Sequence, residues 1–219
     1  MGLAKPLILL LALACADAAL AQQTRPSPAD ESKATTPRGA LHLLNQAMKQ
    51  GDIAAIKQLF LATTPSERRI VEADAGMAAA LAQLRKAAVA RFGEGGADVV
   101  TGDSAAGSAE SAARIDSAEI TIEGDTATVV YKDEKEAPFV LKKVNGEWKV
   151  PVSELGKPLD PAELEQRLSE LAAQRKVMQD ITRDIEHARF ATAEQAHQAW
   201  QRRFLQAATS QPTTRPAGG

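Results

Sequence analysis

Two carboxylate–histidine pairs stand near the end of the chain, Asp184-x-x-His187 and Glu194-x-x-His197. On a helix that step puts both side chains on one face, the spacing used by paired metal ligands in helical bundles. A di-metal site also needs two glutamates from facing helices, and a helix break near Phe190–Thr192 separates the two pairs. They are therefore expected to be solvated charged faces with incidental histidines, and no metal or other cofactor is expected. His42 stands alone and is expected on a helix surface. Cys15 is the one cysteine, which rules out a disulfide framework or a cysteine zinc site. Gly93, Gly95 and Gly96 follow a helical pattern, the wrong order for a phosphate loop, which follows a strand. No serine sits in a nucleophile elbow. Tyr131 is the only tyrosine and so the only phenolic proton donor.

The elements that must position these groups fall into five stretches: a signal peptide (1–21), a polar linker (22–35), an α+β domain (36–155), a helical extension (156–208) and a polar tail (209–219). Lys5 followed by Pro6–Ala14 (PLILLLALA) and then Ala19-Leu20-Ala21 has the charge, apolar, small-x-small order of a secretory signal. Cleavage after Ala21 is expected, which places the protein outside the cytoplasm, periplasmic or extracellular. Lipidation at Cys15 is the alternative. There the preceding Ala12-Leu13-Ala14 carries its large residue one place late for a lipoprotein signal. The apolar run is far short of the roughly 20 residues a spanning helix needs, and no later stretch reaches that length, so no integral membrane span is expected.

Lys+Arg number 26 and Asp+Glu 28 in 219 residues, for a formal net charge of -2. That balance argues against a nucleic-acid binder working by bulk charge. The last helices alternate in sign (Arg167, Glu170, Arg175, Asp180, Arg183, Asp184) and offer no basic stripe. Aromatics are only 4%, so the core is expected to be aliphatic and rich in alanine.

Thr36-Pro37 opens a first helix with Ala40, Leu43, Leu44, Ala47 and Met48 on one stripe, and Gly51 stops it. Asp52 caps a short second helix carrying Ile53, Ile56, Leu59 and Phe60. Thr64-Pro65-Ser66-Glu67 is a capping box that starts a third, reaching about Phe92 with Ile70, Met77, Leu81, Leu84 and Ala88 on one face. The Gly/Ser/Ala stretch Gly93–Ala113 has little to bury and is expected to lack structure apart from a short strand at Val99-Val100. Gly124-Asp125 and Asn145-Gly146 are two-residue hairpin turns, which fix register. The first sets Ile122 opposite Ala127, Ile120 opposite Val129 and Ala118 opposite Tyr131. The second sets Lys143 opposite Trp148, Leu141 opposite Val150 and Phe139 opposite Val152. Each hairpin is apolar on one side and carries Glu119, Thr121, Lys142 or Lys149 on the other, the pattern of an antiparallel sheet packed on one face. Asp160-Pro161-Ala162-Glu163 starts a last long helix with Leu164, Leu168, Leu171, Met178, Ile181 and Ile185 at helical spacing. A shorter helix runs through Trp200, Phe204 and Leu205.

Gly51-Asp52, Arg91-Phe92-Gly93, Glu123-Gly124-Asp125-Thr126-Ala127-Thr128-Val129 and Pro138–Val150 together give the pattern GD-x-A-x-V … P-x-x-L-x-K-x-x-G-x-W-K-V. On these residues the chain resembles the nuclear-transport-factor-2-like, or cystatin-like, superfamily over residues 38–155, in particular its small exported bacterial domains. The resemblance implies an α+β fold: N-terminal helices packed on one face of a curved antiparallel sheet, here followed by C-terminal amphipathic helices. It also implies a cone between helices and sheet, with Tyr131, Phe139, Lys143 and Trp148 as candidate lining residues. Some members, such as ketosteroid isomerases and polyketide cyclases, abstract a proton next to a carbonyl, which needs a carboxylate base in an apolar cone. None of the inward positions here is a carboxylate, and Asp74 on the third helix is the nearest alternative base.

These readings lead to an exported, non-catalytic binding or interaction module, its ligand and partner unknown. A periplasmic enzyme or small-ligand receptor using the cone is the alternative. The long apolar seam of the last helix is expected to pack on its own domain, with a protein partner or self-association through it as the other outcome.

Overall fold

The helix starts are made by the caps the sequence offers. Thr36 accepts from the Gly39 amide and opens α1 (Pro37–Gln50), and Asp52 accepts from the Ala55 amide and opens α2 (Ile53–Leu59). Thr64 and Glu67 close a reciprocal capping box at the head of α3 (Pro65–Phe92). Asp160 and Glu163 do the same for α5 (Pro161–Glu186), which α6 (Ala193–Thr209) follows. Proline holds the first position of α1, α3 and α5, where its missing N–H costs nothing. Gly51 ends α1 at φ 67, and a Cβ there would lie 2.6 Å from the Cα of Ala79. Both the left-handed turn and the close approach to α3 require glycine.

The computed structural model describes residues 33–99, 105–131, 138–155 and 159–209. The signal segment with Cys15 and Ala21, most of the linker, Val100 and the tail from 210 onward lie outside the described residues.

Within that range the fold is α+β, with six α-helices and a five-stranded sheet in the order β1-β5-β4-β3-β2. The hairpins β2–β3 (Glu119–Glu123, Thr126–Val130) and β4–β5 (Phe139–Val144, Glu147–Pro151) keep the registers set by their turns, but Val152, expected opposite Phe139, lies past the end of β5 in a 3-10 turn (Val152–Leu155). Ile120 lies opposite Val129, Ile122 opposite Ala127 and Lys143 opposite Trp148. Gly124 alone has positive φ in the first turn, as a type II′ turn demands. Asn145 and Gly146 both do in the second, as type I′ demands.

The sheet differs from expectation in being mixed. β1 (Phe60–Leu61), directly after α2, runs parallel to β5 and pairs with Val150 and Pro151. The Trp148 amide donates to the Ala34 carbonyl at 2.7 Å. The outer edge of β5 is thus closed by two short pieces of chain, which satisfies donors that an open edge would leave bare.

The Gly/Ser/Ala stretch is more ordered than its composition implies. Gly93–Val99 forms a 3-10 turn whose Val99 is fully buried, and Ala105–Ser117 forms helix α4. Arg38 of α1 explains how so plain a helix ends. Its guanidinium donates to the carbonyls of Ile115 at 2.8 Å, Asp116, and Ala118 at 3.0 Å. Those carbonyls lie at the helix end, where the backbone lacks partners of its own.

Three clusters make the core. Ala40 and Leu41 of α1, with Ile115 and Ala118, cover Ala127, Val129, Leu141, Trp148 and Val150 on the apolar sheet face. Ala47, Ile56 and Leu59 pack on Ala75 and Ala78 of α3. The far half of α3 (Ala80, Leu84, Ala88) packs with Val99, with Met178, Ile181 and Ile185 of α5, and with Ala196 and Ala199 of α6. The C-terminal seam is therefore used within the chain. Met48, Ile53 and Ile122, expected on buried stripes, are 39%, 43% and 55% exposed. Wedged between sheet and α3, α1 turns its Ala40–Leu41–Ala47 face inward instead, and Ile122 lies beside the turn on edge strand β2.

α3 and α5 lie side by side and run in the same direction. Arg69 meets Glu165 near both starts, and Leu84 and Ala88 meet Ile181 and Ile185 toward both ends. Among the described residues no helix is long and apolar enough to cross a membrane.

Candidate functional site

The carboxylate–histidine pairs turn out to be structural. Asp184, buried on α5, accepts from Arg189 at 2.9 Å and pairs with Arg203 of α6 at 2.8 Å. One carboxylate so ties together α5, the turn after it and α6. His187 is the exposed C-cap of α5. Glu194 accepts from Gln198 at 2.7 Å, and Nδ1 of His197 lies 3.0 Å from the Val99 carbonyl oxygen, with its ring against Trp200. Among the described residues no group of three or more His, Cys, Asp or Glu is placed to hold a metal ion. His42 is not a bystander on its surface: its Nε2 lies 2.8 Å from Asp116, joining α1 to α4 beside the Arg38 contacts.

Trp148 is 3% exposed and sits under Ala40 and Leu41 in the sheet–helix cluster. The Lys143 ammonium lies 5.8 Å from its ring centre. Phe139 stacks on Tyr131 at 5.8 Å, and the Arg114 guanidinium lies 4.9 Å from the Tyr131 ring centre. The structure brings these residues to one sheet face, filled there by side chains of α1 and α4. A separate cleft is lined by none of the four.

That cleft lies elsewhere, between the N-terminal halves of α3 and α5, and encloses about 850 Å³. Its floor and walls include Ile70, Val152, Leu159 and Leu164, and Ser66, Ser153 and Gln166 add neutral polar groups. Among the described residues four carboxylates face it, Glu67 and Asp74 from α3 and Glu163 and Glu170 from α5, against one guanidinium, that of Arg167. A cavity of this size with apolar walls and a few polar groups has the usual make-up of a ligand site.

The carboxylates are not equivalent. Burial pushes Glu67 up, but the Thr63 hydroxyl and the Thr63 and Thr64 amides donate to it, and the net effect holds it below the ordinary glutamate value. Glu163 likewise accepts from the Asp160 amide at 3.0 Å. These two are engaged by their capping boxes. Asp74 is different. It is half-buried, no described group donates a hydrogen bond to it, and burial raises its pKa above the ordinary value, with only the charge of Arg167 opposing. Arg167 also stands 3.9 Å from Glu170.

The pairs Thr64 and Asp160, Glu67 and Glu163, Arg69 and Glu165, and Asp74 and Glu170 are each 96 residues apart. The two helices therefore begin with the same cap-Pro-x-Glu signal and lie in matching register. By helix position the four carboxylates fall at two levels, Glu67 and Glu163 making one rung and Asp74 and Glu170 the next. Seven residues along each helix separate the rungs by about 10 Å.

Sequence reasoning singled out Asp74 as a base without a cone to put it in, and the structure places it in this cleft. The repeated cap-Pro-x-Glu start was the available signal for the rest. Comparison of the chain with protein-family models, with curated proteins and with solved structures finds no match.

Proposed function

We propose that this chain is an exported, non-catalytic binding module, in a fold of the nuclear-transport-factor-2-like kind, whose ligand sits in the α3–α5 cleft. The observation that carries the reading is Asp74, a half-buried carboxylate without a hydrogen-bond donor among the described residues, facing a cleft of about 850 Å³ with apolar walls. Burial disfavours the charged form of Asp74, and a ligand that donates to its carboxylate offsets that cost. Among the described residues that line the cleft there is no histidine, lysine or cysteine, and none of them donates a hydrogen bond that would orient Asp74 as a base. That favours holding over turnover. Export is supported by Lys5, the Pro6–Ala14 run and Ala19-Leu20-Ala21, and the fold kinship by helices leading into a sheet with one apolar face.

A thermal-shift screen of small metabolites against the wild type and Leu164→Trp tests the reading. At least one compound should raise the wild-type midpoint, leave the filled variant unmoved, and be recovered unchanged. Equal shifts in both proteins, or conversion of the compound, would contradict it.

A further inference from the structure

We infer that the ligand of the α3–α5 cleft is an extended aliphatic cation carrying two or more ammonium groups, a linear polyamine. The inference rests on the binding reading above and adds its chemistry. Among the described residues the cleft is lined by four carboxylates and one guanidinium, a balance that attracts cations, and low-dielectric walls strengthen that field. The carboxylates do not converge, since no described group of three acidic or histidine side chains stands close enough to hold one metal ion. They are spread as two rungs about 10 Å apart, which suits a chain with charge at both ends rather than a compact ion.

The surface between the rungs is apolar, with Ile70 on α3 and Leu164 on α5, and accepts methylene groups. At the first rung, the capping boxes hold Glu67 and Glu163 in place. At the second, an ammonium group gives Asp74 the hydrogen-bond donor it lacks. Arg167, beside Asp74 and Glu170, limits the charge there and so selects against more highly charged occupants.

Calorimetric titration of the whole protein with spermidine, putrescine and octylamine tests this. Spermidine reaches both rungs, putrescine is too short, and octylamine has the length with one charge. Spermidine should bind one per chain, and each of the others about tenfold more weakly or worse, the loss of one charge-assisted contact. Asp74→Asn and Glu170→Gln should each weaken spermidine by about tenfold while retaining a cooperative melt, and Glu119→Gln on the distant β2 should leave it unchanged.

Equal affinity for putrescine, an equal loss in Glu119→Gln, or no binding of spermidine would overturn the inference. So would tighter binding of a short lysine peptide than of spermidine, which would make the occupant a polypeptide. An uncharged or anionic compound that raises the wild-type midpoint but not that of Leu164→Trp would sink the polyamine and leave the cleft as the binding site.

Discussion

Arg69 and Glu165 meet in a two-point pair, with nitrogen–oxygen distances of 2.5 and 3.0 Å. Both side chains are exposed, so the pair adds little to stability, since water screens such contacts. Its value is as a marker of register. It sets the first turns of α3 and α5 level with one another, and the same level carries down the helices to Asp74 and Glu170. The cleft owes its two rungs to that alignment.

Asp74 should make the protein's stability fall with rising pH over a limited window. Its folded pKa is raised, by burial first, above the unfolded value of about 3.9. Between those two values the folded state binds more protons than the unfolded state, so stability falls as pH rises, and the penalty is complete above the folded pKa. Asp74→Asn should therefore melt higher than the wild type at neutral pH, with the gap closing toward pH 3. A gap that is absent at neutral pH, or that grows on acidification, would mean Asp74 is not desolvated.

Trp148 and Glu119 occupy opposite sides of the sheet, one 3% exposed and the other at the surface. Trp148→Ala should cost about 3–5 kcal/mol in urea unfolding. Glu119→Ala should stay within about 0.5 kcal/mol of the wild type. Similar midpoints for the two variants would show that the β4–β5 register is wrong.

How much of this was open to sequence reading depends on how local the signal was. The caps at Thr36, Asp52, Thr64 and Asp160 and the turns at Gly124 and Asn145 act within a few residues, and each appears as expected. α4 did not stand out, because its apolar side is mostly alanine and what holds it is distant: Arg38 on its last carbonyls and Ile115 in the cluster with Leu41. β1 is two residues long and exists only because β5 has an edge to close. The cleft needed two helices 96 residues apart to be set side by side, which no single window of sequence shows.

Asp184 should prove to be the fastening of the C-terminal pair of helices. Asp184→Ala removes the charged contacts to both Arg189 and Arg203, and each such contact is worth about 1.5–3 kcal/mol. Hydrogen exchange in α6 should quicken while exchange in β3 and β4 stays slow. Uniform quickening throughout would assign Asp184 a global role instead.

A chain ending at Leu155 should be poorly soluble or melt well below the full protein. It strips Met178, Ile181 and Ile185 from Leu84 and Ala88, and each fully buried side chain of that kind contributes roughly 1.5–3 kcal/mol. An unchanged melting midpoint would mean that α5 and α6 do not complete the core.

The most direct test of the cleft as the binding site is to map amide chemical shifts of the full protein as spermidine is added. Shifts should concentrate on residues 64–74 of α3, on Val152 and Ser153, and on residues 159–170, with β2 and β3 still. Shifts centred on Glu119 and Glu123, or spread evenly over the acidic surface, would contradict the account.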